Sequence, residues 1–316
     1  MSLVSQKFSM GVQYPGNTAC GIVLLDKSLN LSSNHALQRV KRLLKAKKAG
    51  HTGTLDPLAT GMLPICLGAA TKFSQYFLDD DKTYEFSVQL GVTTTTGDLE
   101  GDVVRRRQLP KLDTDDLQAV IAAFVGPIQQ VPPMYSALKH NGKPLYEYAR
   151  AGIDVERPAR SIVIRQLSLL GFNPSNGSFS LRATCSKGTY IRSLAYDIGE
   201  IIGCGAVVTK LRRVGVAAFD GLDMVTMETL EDAQHQFDDA NFGSFILPLS
   251  RAFDHLPTLT LDSDRLQRLR YGQTVYVDAT PVELTAVRDE TGLFNGLVSV
   301  QSNGLISVCK LLPVQC

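Results

Sequence analysis

Hydrophobic and polar positions follow one another along this chain in ways that predict both strands and helices. The apolar run GIVLLDK (21–27) is typical of a buried strand, and TYEFSVQLGV (83–92) alternates as a half-buried strand does. In SSNHALQRVKRLLKAKKAG (32–50), apolar side chains recur every three or four positions, which predicts an amphipathic helix. We expect Ser33 to be its N-cap and Gly50 to end it.

The remaining segments complete a mixed pattern. Further helices are predicted at 70–78, at 114–126 with Thr114 as the cap, and at 189–203, and further strands at 161–172, 178–188 and 206–219. The polar residues 93–116 predict a surface excursion, whereas 132–152 lack periodicity, which indicates a mobile arm or an irregular loop. Because strands and helices do not alternate regularly, we predict an α+β fold.

A change in composition near residue 250 predicts a domain boundary. Residues 214–250 contain seven acidic residues and no Lys or Arg. Beyond them, QTVYV, TAVRD, GLVSV and ISVCKLL are each typical of a short strand. We therefore predict a main domain over 1–250 and a small β module over 251–316.

The positive charge is concentrated in the first quarter of the chain. The 316 residues carry a net charge of only +1, but residues 1–75 hold nine Lys or Arg against two acidic residues, a net +7. Six of the nine lie between Arg39 and Lys48, within the predicted amphipathic helix. This asymmetry favours a face that binds a polyanion, although a solvated basic helix face is the commoner outcome for one such run.

Composition argues against several other classes of protein. Hydrophobic residues make up 44% and charged residues 20%, which is ordinary for a globular protein. No apolar run approaches the roughly 20 residues that span a bilayer, and the first residues lack the pattern of a secretory signal. The six cysteines form no CxxC pair, so we expect no metal site, no disulfide framework, and reduced cysteines in a cytoplasmic protein.

The stretch GHTGTLDPLATG (50–61) surrounds a single carboxylate, Asp56, with glycines and a proline. Glycine permits backbone shapes closed to other residues, and Pro57 favours an extended conformation at Asp56. The simplest interpretation is a tight Asp-Pro turn. The alternative is a shaped loop that holds a functional carboxylate in a fixed place.

Three segments resemble the motifs of one enzyme family. AGHTGTLDPLATGMLPICLGAATKFSQYF (49–77) resembles the catalytic motif of the tRNA pseudouridine synthase B family, and the segments 132–153 and 185–214 match two further motifs in the expected order. The resemblance implies isomerisation of uridine to pseudouridine at position 55 in the T loop of tRNA, with no cofactor and no metal. It also implies the pseudouridine synthase fold, a mixed β-sheet flanked by helices and loops. Residues 132–160 would form an RNA-gripping arm, and 251–316 a PUA-like RNA-binding module.

The resemblance assigns roles to individual residues. Asp56 matches the nucleophile, and Arg192 in GTYIR matches an arginine that would pair with this carboxylate and lower its pKa. Tyr84 matches a tyrosine that stacks on the uracil and helps to move a proton. Leu211 would close the pocket, and His51 would fill the gap left by the flipped base. The other residues expected to bind substrate or RNA are Lys27, Tyr190, Arg39, Lys41, Arg42, Lys45, Lys139, Lys143, Arg212 and Arg213.

The chain departs from the family pattern near its first strand. Ser28 and Asn30 stand where the family usually has proline and glycine, and Ala69 replaces a usual glutamate. Asparagine tolerates a left-handed conformation better than most residues, so we expect the turn at Asn30 to survive. None of these changes removes a proposed catalytic group, and we expect the chain to be active.

Two other functions fit parts of the same pattern. A guide-dependent pseudouridine synthase shares the GHxGTLDP core, but that type usually carries long basic tails and a larger end domain. A tRNA-binding or tRNA-folding helper without catalysis would need the basic residues and not the carboxylate. For the tRNA-modifying enzyme, the expected partner is the T stem-loop of tRNA, with no membrane, no obligatory protein partner and a monomeric state.

Overall fold

The computed structural model describes residues 19–236 and 243–313. The strands, in chain order, are β1 (Gly21–Lys27), β2 (Ala49–His51), β3 (Ala59–Leu67), β4 (Lys82–Leu90), β5 (Val92–Thr94), β6 (Val103–Arg106), β7 (Gly126–Gln130), β8 (Lys139–His140), β9 (Lys143–Pro144), β10 (Arg160–Asn173), β11 (Ser178–Cys185), β12 (Ala206–Val216), β13 (Val225–Thr226), β14 (Thr258–Thr260), β15 (Val282–Arg288), β16 (Phe294–Val300) and β17 (Ile306–Leu311). The helices are α1 (Ser33–Leu43), α2 (Ser74–Asp79), α3 (Thr114–Ala122), α4 (Leu145–Arg150), α5 (Ile191–Ile202), α6 (Met227–Gln236) and α7 (Ser263–Arg270).

Nine of these strands form one mixed sheet. Its order is β13-β1-β3-β12-β4-β11-β10-β7, and β2 pairs with β3 at one side of this path. Strand β3 runs antiparallel to β1 and parallel to β12, and β12 runs antiparallel to β4. The loop that carries Asp56 and the strand that carries Tyr84 therefore lie on either side of β12. This sheet confirms the predicted α+β class.

Both faces of the sheet are covered, because its central strands bury side chains in both directions. Along β1, Val23 and Leu25 belong to one apolar core, whereas Ile22 and Leu24 belong to the other. Helices α1, α3, α5 and α6 contribute apolar side chains to the first core. The second core contains Phe77 of α2 and residues of the C-terminal sheet.

A small four-stranded sheet, β14-β15-β16-β17, follows the main sheet and packs on the second core. An aromatic cluster makes this contact, with ring centroids 5.9 Å apart for Phe73 and Phe253 and 5.6 Å apart for Phe253 and Phe294. The strands predicted at TAVRD, GLVSV and ISVCKLL are confirmed as β15, β16 and β17. The one predicted at QTVYV is wrong, since only an isolated bridge from Tyr276 to Leu305 forms there. The domain boundary near residue 250 stays a prediction.

Several predicted element ends are corrected by side-chain hydrogen bonds. Ser32, not Ser33, caps α1, because its hydroxyl accepts from the His35 N–H at 3.2 Å. The helix then ends at Leu43, well before Gly50. Asp113, not Thr114, caps α3 through a capping box.

Two segments contain more structure than the sequence predicted. Residues 92–106 form the β5–β6 hairpin within the polar stretch that was predicted as a surface excursion. Residues 139–150 contain the short β8–β9 hairpin and helix α4 within the stretch that lacked periodicity. The helix predicted at 70–78 is a 3₁₀ segment, Gly68–Phe73, followed by α2.

The described residues hold no group of His, Cys, Asp or Glu side chains that could bind a metal ion. Within the same ranges, no helix is long and apolar enough to cross a membrane. Cys66, Cys185, Cys204 and Cys309 are free thiols, as expected.

Candidate active site

The loop that carries Asp56 connects β2 to β3 and is held from two sides. The Ser33 hydroxyl accepts from the Leu55 N–H at 2.7 Å and donates to the Leu55 carbonyl at 2.9 Å. On the other side of Asp56, the Pro57 carbonyl accepts from the Asn30 N–H at 2.9 Å. Asn30 adopts a φ of 62°, the left-handed conformation expected where the family has glycine. Asp56 therefore sits on a fixed backbone rather than on a free turn.

Lys27 connects the Asp56 loop to the turn after β1. Its side chain is 0% exposed. The ammonium donates to the carbonyls of Leu31 at 2.6 Å, Ser28 at 2.9 Å and Pro57 at 3.4 Å. Burial lowers the pKa of Lys27 to about 8, against the attraction of Asp56. An ammonium enclosed in this way stabilises the loop, and its predicted contact with substrate or RNA stays a prediction.

Arg192 connects the Asp56 carboxylate to the surrounding backbone. It lies in the first turn of α5, and its side chain is 4% exposed. The Nη2 atom lies 2.8 Å from Asp56 Oδ2 and also donates to the Tyr135 carbonyl at 2.8 Å. Nη1 donates to the Thr96 carbonyl at 2.7 Å. These fixed acceptors hold the guanidinium in place, so the position of the Asp56 carboxylate is defined by Arg192.

Asp98 is a functional candidate that sequence analysis missed. Its carboxylate lies 3.7 Å from Arg192 Nε, and its side chain is 3% exposed. Thr96 and the Glu100 N–H donate hydrogen bonds to this carboxylate and fix its orientation. Asp98 lies in the polar segment 93–116, where an acid between turn residues resembles ordinary surface. The only local signal was the pair of glycines in TGDLEG, of which one directly precedes Asp98 and the other follows three positions later.

Opposing influences act on the pKa of Asp56, and burial is the largest of them. Burial raises the pKa above its ordinary value of 3.8, and the negative charge of Asp98 raises it further. The Arg192 charge and hydrogen bond and the Lys27 charge lower the pKa, but they do not outweigh the loss of hydration. Arg192 thus lowers the pKa of Asp56 as expected, although burial sets the net direction. The side chain is still 36% exposed to the open cleft, where a substrate can reach it.

Tyr84 and Arg213 line the same cleft as Asp56. Tyr84 lies on β4, and burial raises the pKa of its phenol, so the hydroxyl is protonated at neutral pH. Arg213 is 1% exposed; its guanidinium donates to the Met62 carbonyl at 2.6 Å and to the Gly53 carbonyl at 3.1 Å. The predicted contact of Arg213 with RNA stays a prediction. Arg213 holds the Asp56 loop against β3.

The remaining pocket residues predicted from the sequence also lie in this cleft, which has a volume of about 760 Å³. His51 is on β2, Leu211 on β12, and Tyr190 immediately before α5. Burial and the Arg213 charge lower the pKa of His51 below 6.5, so the imidazole is neutral at pH 7. A nucleotide in the cleft would meet Asp56, Tyr84 and these three side chains together.

Two of the arginines that are predicted to contact RNA form ion pairs with carboxylates. The Arg212 guanidinium binds Asp26 bidentately at 2.7 and 2.9 Å. Arg39 binds Glu231 of α6 in the same way, with both hydrogen bonds at 2.8 Å. Each of these arginines is therefore paired with a geometrically matched carboxylate in this structure, and its contact with RNA stays a prediction.

The other predicted RNA contacts lie at the surface. Arg42, Lys45, Lys139 and Lys143 are exposed, and Lys41 is half-buried. Lys143 also lies 5.2 Å above the Tyr148 ring and 3.7 Å from a Glu147 carboxylate oxygen. These positions remain candidates for backbone contacts.

The site is thus an accessible carboxylate bound by a buried arginine, in a cleft of the mixed sheet that Tyr84 also lines. Known proteins of similar sequence show the class to which the chain belongs. The model of the N-terminal domain of TruB family pseudouridylate synthases matches residues 41–191. The model of the tRNA pseudouridylate synthase B C-terminal domain matches residues 192–254.

Individual proteins agree with these family models. The tRNA pseudouridine synthase B of Chromohalobacter salexigens is 47% identical over 299 residues, which are 94% of this chain and 95% of that protein. That of Cupriavidus metallidurans is 54% identical over 261 residues, 83% of this chain and 82% of that protein. The chain belongs to the tRNA pseudouridine synthase B family.

A solved structure supports the fold. The archaeal box H/ACA sRNP Nop10-Cbf5 complex contains a chain that superposes with a TM-score of 0.69 at 24% identity, covering 93% of this chain and 86% of that one.

Proposed function

We propose that this protein isomerises uridine to pseudouridine in tRNA, with the uridine at position 55 of the T loop as its target. The observation that carries the proposal is the Asp56 carboxylate, which is bound to Arg192 at 2.8 Å and open to a cleft large enough for a nucleotide. The relatives that match over most of the chain are named tRNA pseudouridine synthase B.

The chemistry explains why one accessible carboxylate is enough. The bond between uracil N1 and ribose C1′ breaks, the base rotates within the cleft, and a bond from C5 to C1′ replaces it. Glycosidases need a second carboxylate to protonate the leaving group or activate water, but here the base stays bound and no water reacts. Asp56 attacks C1′ or the uracil ring, or stabilises an oxocarbenium-like sugar; all three roles need an ionised and positioned carboxylate.

The surrounding residues take complementary roles in this proposal. Tyr84 stacks on the uracil. The isomerisation removes one proton from C5 and adds one at N1, and the protonated Tyr84 phenol can relay this proton only by giving up its own O–H proton as it accepts the one from C5. His51, neutral at pH 7, fills the gap left by the flipped base. Leu211 and Tyr190 close the cleft around the nucleotide, and Arg192 holds Asp56.

The exposed basic residues of the first quarter and the arm would bind the tRNA backbone. Arg42, Lys45, Lys139 and Lys143 are exposed and suited to phosphate contacts. In this proposal, residues 132–160 grip the T stem-loop, and the module over 251–316 adds a second RNA contact. We propose that the enzyme acts as a monomer in the cytoplasm, without a cofactor.

The alternatives are less well supported. A guide-dependent enzyme is disfavoured because the relatives named tRNA pseudouridine synthase B are 47–54% identical, whereas the archaeal chain shares 24%. A folding helper without catalysis gives no reason for Arg192 to hold an accessible carboxylate.

The direct test uses an unmodified tRNA transcript without any guide RNA. After incubation with the protein, pseudouridine is mapped by carbodiimide labelling and primer extension, with a transcript carrying cytidine at position 55 as the matched control. We expect one new stop, at the T-loop uridine. If the protein binds the transcript without modifying it, the enzymatic function is contradicted and the role of a folding helper is favoured.

A further inference from the structure

The Ser136 hydroxyl is a buried polar group without a partner at the edge of the cleft. Ser136 is 5% exposed, and its Oγ atom forms no hydrogen bond with any described residue. Protein interiors seldom contain such groups, because a hydroxyl that leaves water without a new partner is destabilising. An unpaired hydroxyl of this kind therefore needs an explanation.

Each of the other described polar side-chain atoms without a partner belongs to a residue that is less buried than Ser136, that lies away from the cleft, or both. They belong to His51, Thr52, Asp80 and Arg107. Of this set, only Thr52 is buried to the same degree, and Thr52 does not line the cleft. Ser136 combines nearly complete burial with a place in the cleft wall. This combination is typical of a group whose partner arrives with a ligand.

The backbone around Ser136 is fixed and connected to the catalytic pair. Its N–H donates to the Met134 carbonyl at 2.9 Å, and its carbonyl accepts from the Tyr146 N–H at 3.1 Å. The preceding carbonyl, of Tyr135, accepts from the same Arg192 nitrogen that binds Asp56. The hydroxyl is therefore held at a set place relative to the Asp56 carboxylate.

The Tyr190 phenol is a neighbour of this hydroxyl. Its contact with Ser136 opposes the rise that burial causes in the pKa of Tyr190. Even so, Ser136 Oγ makes no hydrogen bond of normal geometry with the described residues. Ser136 and Tyr190 both line the cleft, and their contact leaves the Ser136 hydroxyl without an acceptor of normal geometry.

We propose that the Ser136 hydroxyl donates a hydrogen bond to an oxygen of the nucleotide that reacts at Asp56. This inference rests on the proposed function, because it needs a nucleotide in the cleft. Uridine and its phosphates carry several acceptor oxygens, and a single hydroxyl at a fixed place selects the pose in which one of them meets it. Ser136 is then a substrate-binding residue that acts together with Tyr190.

The test compares Ser136→Ala with Thr285→Val. Thr285 is equally buried, but its hydroxyl donates to the Pro257 carbonyl at 2.6 Å in the C-terminal sheet, and it does not line the cleft. For wild type and both variants, the thermal midpoint is measured, together with the single-turnover rate of pseudouridine formation on an unmodified tRNA transcript. The rates are measured well below all three midpoints.

We expect one variant to lower the reaction rate and the other to lower the thermal midpoint. Ser136→Ala removes an unpaired hydroxyl, so its midpoint should be unchanged or raised, while the rate falls about tenfold through loss of a hydrogen bond made only with substrate. Thr285→Val removes a satisfied hydrogen bond, so its midpoint should fall by about 2 °C or more with the rate unchanged.

The result that overturns the inference is a wild-type rate for Ser136→Ala, or a rate loss that simply follows a lowered midpoint. An inactive wild-type protein would instead remove the proposed function itself, so the two failures are distinguishable.

Discussion

The hydroxyl of Ser33 binds both backbone polar groups of Leu55, the residue immediately before Asp56. Ser33 is the first residue of α1 and is 2% exposed, so the start of this helix anchors the loop that carries the Asp56 carboxylate. The helix cap itself is the neighbouring Ser32. Of these two adjacent serines, one caps the helix and the other holds the Asp56 loop.

Replacing Ser33 should therefore reduce both stability and activity. Ser33→Ala leaves the N–H and carbonyl of Leu55 buried without partners, which we expect to cost about 1–3 kcal/mol in the free energy of unfolding. A displaced Asp56 should also lower kcat by roughly 10- to 100-fold. Denaturant unfolding and single-turnover kinetics measure the two effects.

The matched control is Ser180→Ala, which removes a hydroxyl pair with Ser87 at 2.9 Å, away from the cleft. It should lower stability without lowering kcat. Equal loss of kcat in both variants would show that Ser33 has no particular connection to Asp56.

Asp98 should control the pKa of Asp56 through its charge. Its negative charge raises the pKa of Asp56, so Asp98→Asn should shift the acid limb of the kcat/KM profile to lower pH. The same variant weakens the support of Arg192, and we expect kcat to fall by roughly tenfold. The pH profile separates the two effects. An acid limb that stays at the wild-type pH would contradict the electrostatic role of Asp98.

The elements around Asp56 were predicted from local signals, whereas Asp56 itself was singled out only by the family resemblance. Glycines and Pro57 mark the loop, the alternation in 83–92 predicts the strand that carries Tyr84, and the amphipathic pattern predicts α1. Each of these features depends on residues a few positions apart.

Long-range charge pairing could not be predicted from the sequence. Arg39 and Arg212 are expected RNA contacts, and no local signal indicates their pairing with Glu231 and Asp26, which are 192 and 186 positions away. Asp98 was missed for the same reason, since only the fold brings it to Arg192. A single sequence shows which residues are charged but not which charges the fold has already paired.

The ionisation of Asp56 should cost stability at neutral pH. A carboxyl whose pKa is raised on folding contributes stability that is fully present below its unfolded value of 3.8 and is lost as the pH rises through the folded pKa. Asp56→Asn should therefore have a higher thermal midpoint than wild type at pH 7, and the difference should shrink as the pH approaches 4. A variant less stable than wild type at pH 7 would mean that the Arg192 ion pair outweighs burial.

The exposed cations of α1 should determine the salt dependence of tRNA binding. Arg42→Ala removes one phosphate contact, so the slope of log K against log salt should become less steep by about one, with affinity lowered several-fold. The double variant Arg39→Ala/Glu231→Ala removes an ion pair without changing net charge, and its slope should match wild type. Binding is measured by filter retention over a salt series. If the slope changes equally in Arg42→Ala and in the double variant, Arg39 also contacts the RNA backbone.

The central claim is that Asp56 performs the chemistry and is not needed to hold the RNA. The most direct measurement incubates wild type and Asp56→Asn with unmodified tRNA transcript, maps pseudouridine in the T loop, and determines the Kd of each protein for the transcript. We predict complete modification by wild type, none by Asp56→Asn, and Kd values within about threefold, because phosphate contacts dominate affinity. Modification by Asp56→Asn at the wild-type rate would contradict the account.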